Sequence, residues 1–180
     1  MAYITGTAAT FADLQTALQN ACTANGWTLS SGILSKNGCF FKLSNASNYL
    51  RIDGGTGQSG STLTGSPTYG GMIASITGYV VNFPVTYEIH FFANPDEVYC
   101  VVNYNSDFYQ QISFGKSDVP GIGGTGAFFT AAYRSDISLT SASSRLCYWS
   151  GSISSCGISY QSGNTCGLWF GDSPTNGTLT

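Results

Sequence analysis

Three consecutive runs of alternating apolar and polar residues constrain this chain more than any other feature. The runs are TYEIHFF (residues 86–92), EVYCVVNY (97–104) and DFYQQISF (107–114), joined by the short segments ANPD and NS. Successive side chains of a β-strand point to opposite faces, so each run predicts a strand. Pro95 has no backbone N–H to donate to a sheet, so it belongs in the first turn. Together the runs predict an antiparallel three-stranded meander.

A single amphipathic helix is predicted near the N-terminus, at residues 11–24. Its apolar stripe recurs at spacings of three, four and three residues and consists of Phe11, Leu14, Leu18 and Ala21. Thr10 provides an N-cap, and Asp13 occupies the position of a capping-box acid. Asn25-Gly26 ends the helix, because both residues tolerate a left-handed backbone.

The rest of the chain predicts further strands and two extended segments. Short strands are expected at residues 27–29, 33–35, 39–43 and 49–53, and Asn37-Gly38 signals a type I′ hairpin. Residues 54–71 are rich in Gly, Ser and Thr and predict a long loop that is functional, mobile or ordered by a neighbouring subunit. We expect an α+β fold, mostly antiparallel β, with a core domain at residues 1–118. A Gly/Ser/Thr-rich extension at 119–180, β or extended and ending in a C-terminal arm, is expected to pack on the core or on neighbours.

Both faces of the predicted meander are apolar. One face gathers Tyr87, Ile89, Phe91, Val98, Cys100, Val102, Tyr104, Phe108, Gln110, Ile112 and Phe114. The opposite face carries Phe92, Tyr99, Val101 and Tyr109, which form the candidate subunit interface. A sheet that is apolar on both faces must be covered on both, and a single helix covers only one. A neighbouring subunit is therefore the expected second cover.

Charged residues make up only 8% of the chain, against about a quarter in typical proteins. Hydrophobic residues reach 42% and aromatic residues 14%, which excludes disorder for most of the chain. A polar but uncharged surface repels copies of itself only weakly, which favours a protein that works inside an assembly. The six scattered Lys and Arg give no footprint for nucleic acid, and no apolar stretch is long enough to span a membrane.

The six cysteines contain no CxxC pair and lie far in sequence from the single histidine, so no metal site is expected. Buried free thiols are the simpler interpretation. Disulfides are the alternative if the protein matures outside a reducing cytosol. A disulfide would then be expected among the last three cysteines, Cys147, Cys156 and Cys166.

The acidic residues at 96, 97 and 107 raise the question of a catalytic carboxylate pair. Glu97 and Asp107 would lie at opposite ends of one strand, roughly 20 Å apart, whereas glycosidase pairs need about 5–10 Å. Asp96 and Glu97 are adjacent and would diverge. His90 lies mid-strand without a nucleophile motif, which indicates a partly buried strand histidine. The GxGxxG match at residues 121–126 lacks the strand–helix context of a dinucleotide site, so neither catalysis nor a cofactor is expected.

Two stretches together carry a resemblance to a known class of protein. FADLQTALQNACTANGWTLSSGILSKNGCFFKL (11–43) and YEIHFFANPDEVYCVVNYNSDFYQQISFGKS (87–117) combine a short helix, a hairpin and an aromatic-rich meander. Over residues 10–118 the chain resembles small virion proteins of tailed bacteriophages, of the kind associated with the tail, neck or collar, or baseplate. The resemblance implies a non-enzymatic subunit of the virion, assembled in the host bacterial cytoplasm. Its partners would be copies of itself and other virion proteins.

The expected subunit would form a ring or collar through main-chain pairing and apolar contacts, with residues 54–71 and the C-terminal arm reaching onto neighbours. Two other function classes stay open. A receptor- or carbohydrate-binding module at the tail tip would stack its ligand on aromatic rings. The rings available for such a groove are Tyr148, Trp149, Tyr160 and Trp169. An enzyme such as a glycan hydrolase would need two carboxylates converging within about 10 Å.

Overall fold

The computed structural model describes most of the first 134 residues and one segment beyond them. The described residues are 1–66, 70–78, 80–94, 96–106, 108–116, 126–134 and 146–149. Within these ranges the chain is mostly antiparallel β-structure with one helix, which confirms the predicted fold class at this level. No helix in the same ranges is long and apolar enough to cross a lipid bilayer.

Helix α1 spans Phe11–Ala24, the range predicted from its apolar stripe. Thr10 caps the N-terminus, because its Oγ1 accepts a hydrogen bond from the Asp13 backbone N–H at 3.0 Å. At the other end, the Asn25 and Gly26 backbone N–H groups donate to carbonyls of the last turn, and Gly26 takes a φ of +82°. The buried face consists of Phe11, Leu14, Leu18, Ala21 and Cys22.

Six antiparallel strands form the first sheet, called sheet I. They are β1 (Ala2–Ala8), β9 (Val85–Phe92), β10 (Glu97–Asn105), β11 (Phe108–Lys116), β12 (Ala127–Ala131) and β14 (Leu146–Trp149), paired in that order. The predicted meander lies within it, since β10 pairs with β9 on one side and β11 on the other. Strand β1 has no counterpart among the predicted strands and pairs with β9 at one edge. Pro95 and Asp107 lie outside the described residues.

The second sheet, called sheet II, also has six antiparallel strands. They are β13 (Tyr133–Arg134), β8 (Gly71–Ala74), β5 (Tyr49–Gly55), β4 (Cys39–Ala46), β3 (Ile33–Lys36) and β2 (Thr28–Ser30), in that spatial order. The predicted hairpin turn joins β3 to β4. Asn37 and Gly38 take φ values of +49° and +81°, as the two central residues of a type I′ turn require. The Asn-Gly prediction is confirmed.

Residues 54–71 do not form the single long loop that their composition predicts. They include the end of β5, the start of β8, and a separate two-stranded ribbon of β6 (Gly57–Ser59) and β7 (Thr62–Thr64). Gly60 makes the turn of this ribbon at a φ of +59°. The Lys42 ammonium donates to the Ser61 carbonyl at 2.9 Å, which ties the ribbon to β4 of the same chain. The loop prediction is wrong here because these backbone groups find partners within the chain.

The two sheets pack face to face around the main hydrophobic core. Phe41 of sheet II and Phe114 of sheet I have ring centroids 5.0 Å apart, and Trp27 packs on both at 5.9 and 5.5 Å. Full burial of a large apolar side chain contributes about 1.5–3 kcal/mol relative to its exposure. Sheet II and helix α1 together therefore cover the inner face of the meander, which the sequence had assigned to the helix alone.

The predicted inner face of the meander is confirmed except at one position. Ile89, Phe91, Val98, Cys100, Val102, Tyr104, Gln110, Ile112 and Phe114 are buried, and Tyr87 is half-buried. Phe108 was expected among them but is 54% exposed. The β10–β11 register shifts between Asn103 and Asn105, which leaves Phe108 opposite Asn105 at the end of the ladder. A bulge of this kind changes which side chains reach the core.

Parts of the predicted extension at residues 119–180 belong to the two sheets. Strand β12 continues sheet I beyond β11, β14 follows it, and β13 joins sheet II beside β8. These described parts of the extension therefore pack on strands of the core. The remainder, including the predicted C-terminal arm, lies outside the described residues, and the boundary at residue 118 stays a prediction.

Candidate assembly surface

The outer face of sheet I carries the four residues predicted as a subunit interface, with Phe92 opposite Glu97 at one end of β10 and Tyr109 opposite Asn103 near the other. Phe92 ends β9, Tyr99 and Val101 lie in β10, and Tyr109 is the second residue of β11. Tyr109 is 62% exposed and Phe92 is 40% exposed, whereas Tyr99 and Val101 are half-buried between their neighbours. The ring of Phe92 meets that of Tyr99 edge to face, with centroids 5.5 Å apart. We call this face, with the residues described next, the aromatic face.

Strand β1 adds a residue to the aromatic face that the sequence analysis missed. Tyr3 lies opposite His90, which in turn lies opposite Tyr99 across the sheet. The rings of Tyr3 and His90 are 4.9 Å apart, and Tyr3 is 52% exposed. The alternation of Tyr3, Thr5 and Thr7 with smaller or apolar residues was the available signal for this strand. The aromatic face thus runs across four strands, from β11 to β1 at the edge of the sheet.

The charged groups of the aromatic face are held by its own side chains. The Tyr99 hydroxyl donates to Glu97 Oε2 at 2.9 Å. Burial, together with this hydrogen bond and the Glu97 charge, raises the pKa of Tyr99 to about 12, so the phenol stays neutral at physiological pH. His90 Nε2 lies 3.5 Å from Glu88 Oε2, and the imidazole is partly buried, as predicted. Glu97 thus lies at the start of β10, whereas Glu88 lies mid-strand in β9, between Thr5 of β1 and Val101 of β10.

Asp96, one of the carboxylates that suggested catalysis, holds the ends of the two sheets together. It forms an ion pair with Lys36 of β3 at 2.8 Å, and it accepts a hydrogen bond from the Asn37 side-chain amide in the β3–β4 turn. Lys116, at the end of β11, donates from its backbone N–H to the Asp96 carbonyl and from its ammonium to the Asn37 carbonyl. We call these four residues the polar latch.

A glycine allows the polar latch to close. Gly115 has a φ of +152°, and a Cβ at this position would collide with the Asp96 carbonyl oxygen. Only glycine lets the two backbones approach this closely without strain. The geometry assigns Asp96 a structural task, in line with the interpretation of the segment as a turn.

Other candidate catalytic groups are also engaged by the chain itself. The Asp53 carboxylate forms a bidentate pair with Arg51, at 2.6–3.0 Å, and Glu97 accepts from Tyr99. Among the described residues, no group of three or more His, Cys, Asp or Glu side chains could hold a metal ion. Asp107 and residues 121–125 of the glycine motif lie outside the described residues.

Three cysteines are buried free thiols, which confirms the simpler interpretation for Cys22, Cys39 and Cys100. Burial raises the pKa of Cys39 to about 11 and that of Cys100 to about 12. Burial also raises the pKa of Cys22 well above its ordinary value. All three are therefore neutral and poor nucleophiles near pH 7.

The residues proposed for a disulfide or a glycan groove fall at the limit of the described chain. The backbone of β14 places Cys147 opposite Thr130, Tyr148 opposite Phe129 and Trp149 opposite Phe128. The side chains of these three residues lie outside the described part, as do Cys156, Tyr160, Cys166 and Trp169. The disulfide and the aromatic groove stay predictions.

No protein-family model matches this chain, and no curated protein matches it.

Proposed function

We propose that this chain is a non-enzymatic structural subunit of a bacteriophage virion. It assembles in multiple copies in the tail, neck or collar, or baseplate region. The observation that carries the proposal is the aromatic face, where Tyr3, Phe92 and Tyr109 expose large rings on one side of sheet I. The resemblance of residues 10–118 to small virion proteins supports the choice of particle.

A second copy of this chain is the occupant that best fits the aromatic face. Exposed apolar groups that lie together on a soluble protein mark interaction sites, and aromatic residues are enriched at the centres of interfaces. Only 8% of the residues are charged, so copies approach each other with little electrostatic repulsion. The two acids of the face have partners within the chain, since Glu97 accepts a hydrogen bond from Tyr99 and Glu88 lies 3.5 Å from His90.

Measurement of the oligomeric mass with matched lysine variants tests this proposal. The wild-type chain should sediment as an oligomer, and Tyr109→Lys should shift it towards monomer by placing a charge in the aromatic face. Leu29→Lys is the control, because Leu29 is an exposed apolar residue of β2 in sheet II. It should leave the mass unchanged. A wild-type chain that stays monomeric at all concentrations contradicts the proposal, as does equal dissociation in both variants.

Assignment to the virion has its own test. Quantitative peptide mass spectrometry of gradient-purified particles should find this chain in several copies per particle. Its absence from purified particles, with the chain present in the infected-cell lysate, would contradict the virion assignment while leaving the oligomer measurement intact.

A second candidate function, binding of a glycan or receptor at the tail tip, draws support from one local feature. Phe108 and Tyr109 are consecutive and both rings are more than half exposed at the start of β11. Aromatic rings of this kind can stack on the apolar faces of sugars. Glycan-array binding that Tyr109→Ala or Trp169→Ala abolishes, by a chain that remains monomeric, would favour this function over assembly.

A further inference from the structure

The two sheets end in strands of very different length. Within the described residues, three of the four edge strands are short: β14 has 4 residues, β2 has 3 and β13 has 2. The fourth edge, β1, has 7 residues and pairs with β9 along all of them. Short edge strands are one of the ways in which proteins avoid pairing with other chains. Strand β1 is the long edge among the described strands.

The sequence of strand β1 also lacks the residues that protect an edge. Its sequence, AYITGTA, contains no charged residue and no proline, and four of its residues are Tyr, Ile or Thr, which favour strands. In an antiparallel edge strand, alternate backbone N–H and C=O groups point away from the sheet and are available to another strand. These features make β1 a template for main-chain pairing.

We infer that β1 pairs antiparallel with β1 of a second copy, about a two-fold axis that passes beside Thr5. The inference rests on the proposed assembly role and names one surface that joins the copies. A two-fold axis at Thr5 sets Thr5 against Thr5 and Ala2 against Ala8. It sets the two largest residues of the strand against smaller ones, Tyr3 against Thr7 and Ile4 against Gly6. Both members of every pair lie on the same face of the joined sheet.

A groove beside β1 accommodates the second copy on the inner side of the sheet. It has a volume of about 510 Å³ and lies between α1 and the β1–β9 edge, with Ile4, Tyr87, Ala17, Asn20 and Ala24 among its lining residues. The Tyr87 hydroxyl occupies the space that a Cβ at Gly6 would need. Ile4 of the partner subunit would therefore lie over Gly6 and against the Tyr87 ring. Small helix residues along the groove allow close approach of the second helix.

Self-complementarity is the reason to name a second copy rather than an unrelated protein. An isologous interface requires one patch to fit itself, with residue i against residue j and j against i. In the strand, the larger residues Tyr3 and Ile4 face the smaller residues Thr7 and Gly6 of the second copy, so β1 fits a copy of itself in size. Asp13 is the one charged residue that lines the groove. Pairing also extends the aromatic face across the junction, because Tyr3 stands at its edge on the outer side.

A charge-swap experiment tests the predicted axis. Thr5 is exposed on the outer face and lies opposite Glu88 of β9, so both Thr5 variants are made in a Glu88→Gln background, where the new charge meets no carboxylate of its own chain. Thr5→Lys and Thr5→Glu should each weaken self-association about threefold or more at low salt, since like charges face each other across the axis. An equimolar mixture of the two variants should restore it, with heterodimers dominating in native mass spectrometry. Ser30→Lys, on the β2 edge, should change nothing.

The outcomes separate this inference from the proposed function. If Tyr109→Lys dissociates the wild-type oligomer but the Thr5 variants and their mixture behave like wild type, the β1 pairing is overturned and the assembly proposal stands. If wild type is monomeric throughout, both fall. If each Thr5 variant loses association and the mixture does not recover it, the two-fold at Thr5 is overturned. Circular dichroism of every variant should match that of wild type.

Discussion

The side-chain amide of Gln110 closes two hydrogen bonds on the backbone of Ala74. Its Oε1 accepts from the Ala74 N–H at 2.8 Å, and its Nε2 donates to the Ala74 carbonyl at 2.9 Å. Gln110 lies in β11 of sheet I and Ala74 in β8 of sheet II, and both are buried. The Gln110 amide therefore satisfies the backbone N–H and C=O of the last residue of β8, as a neighbouring strand would. It also connects the two sheets through their core.

Replacement of Gln110 by Leu should destabilise the protein by about 2–4 kcal/mol, because both Ala74 backbone groups would be left buried without partners. Urea unfolding measured by tryptophan fluorescence provides the number. Gln111→Leu is the matched control, since Gln111 is exposed on the opposite face and its change should stay within about 0.5 kcal/mol. Equal losses in the two variants would show that the Gln110 amide does not hold the sheets.

Removal of the Asp96 carboxylate should open the polar latch. The ion pair with Lys36 is only partly exposed, at 25% for Lys36 and 15% for Asp96, and Asn37 adds a hydrogen bond. Asp96→Ala should therefore cost about 1–2 kcal/mol, more than a surface ion pair. The difference from wild type should shrink in high salt. Glu88→Ala, at an exposed carboxylate, is the control, and a loss as large as that of Asp96→Ala would contradict the assignment.

The buried thiols make the free energy of unfolding depend on pH in the alkaline range. The pKa values of Cys39 and Cys100 are raised from 9.0 to about 11 and about 12, so the folded state keeps protons that the unfolded state releases. Stability from this source is complete below pH 9 and is lost as pH rises through the window up to 11–12. At pH 10 each such thiol should cost about 1.4 kcal/mol.

Comparison of Cys100→Ala with wild type isolates one of these thiols. The variant is expected to be less stable than wild type at pH 7, because it leaves a small cavity in the core. Between pH 7 and pH 10, however, its free energy of unfolding should fall by about 1.4 kcal/mol less than that of wild type. Identical pH dependence in the two proteins would mean that Cys100 ionises as readily in the folded chain as in the unfolded one.

Local signals were sufficient for several elements. The helix at 11–24 follows from its spacing and its Thr10 cap, and the Asn37-Gly38 turn follows from the positive φ that both residues tolerate. Strand β1 was not predicted, because Gly6 interrupts its short alternating run. Only its pairing with β9 makes it a strand. The β6–β7 ribbon was not predicted for a similar reason. Its Gly, Ser and Thr residues have only weak local preferences for a strand, so the ribbon depends on contacts with β4 and β5.

The candidate assembly surface was likewise predictable from the sequence only in part. Alternation alone put Phe92, Tyr99, Val101 and Tyr109 on one face, because the period of a strand is fixed by its backbone. Alternation could not place Phe108, because the exposure of this residue depends on the register shift between β10 and β11. Nor could it show that Tyr3 joins the face, that Asp96 belongs to a latch, or that Gln110 reaches Ala74.

The sequence by itself determined the helix, the meander and the two-sided apolar character of its strands, because these depend on residues close together along the chain. Only the tertiary structure decided that a second sheet covers the inner face, that buried polar groups join the sheets, and that β1 is a long edge. Those features depend on contacts between segments far apart in sequence, which no local pattern records.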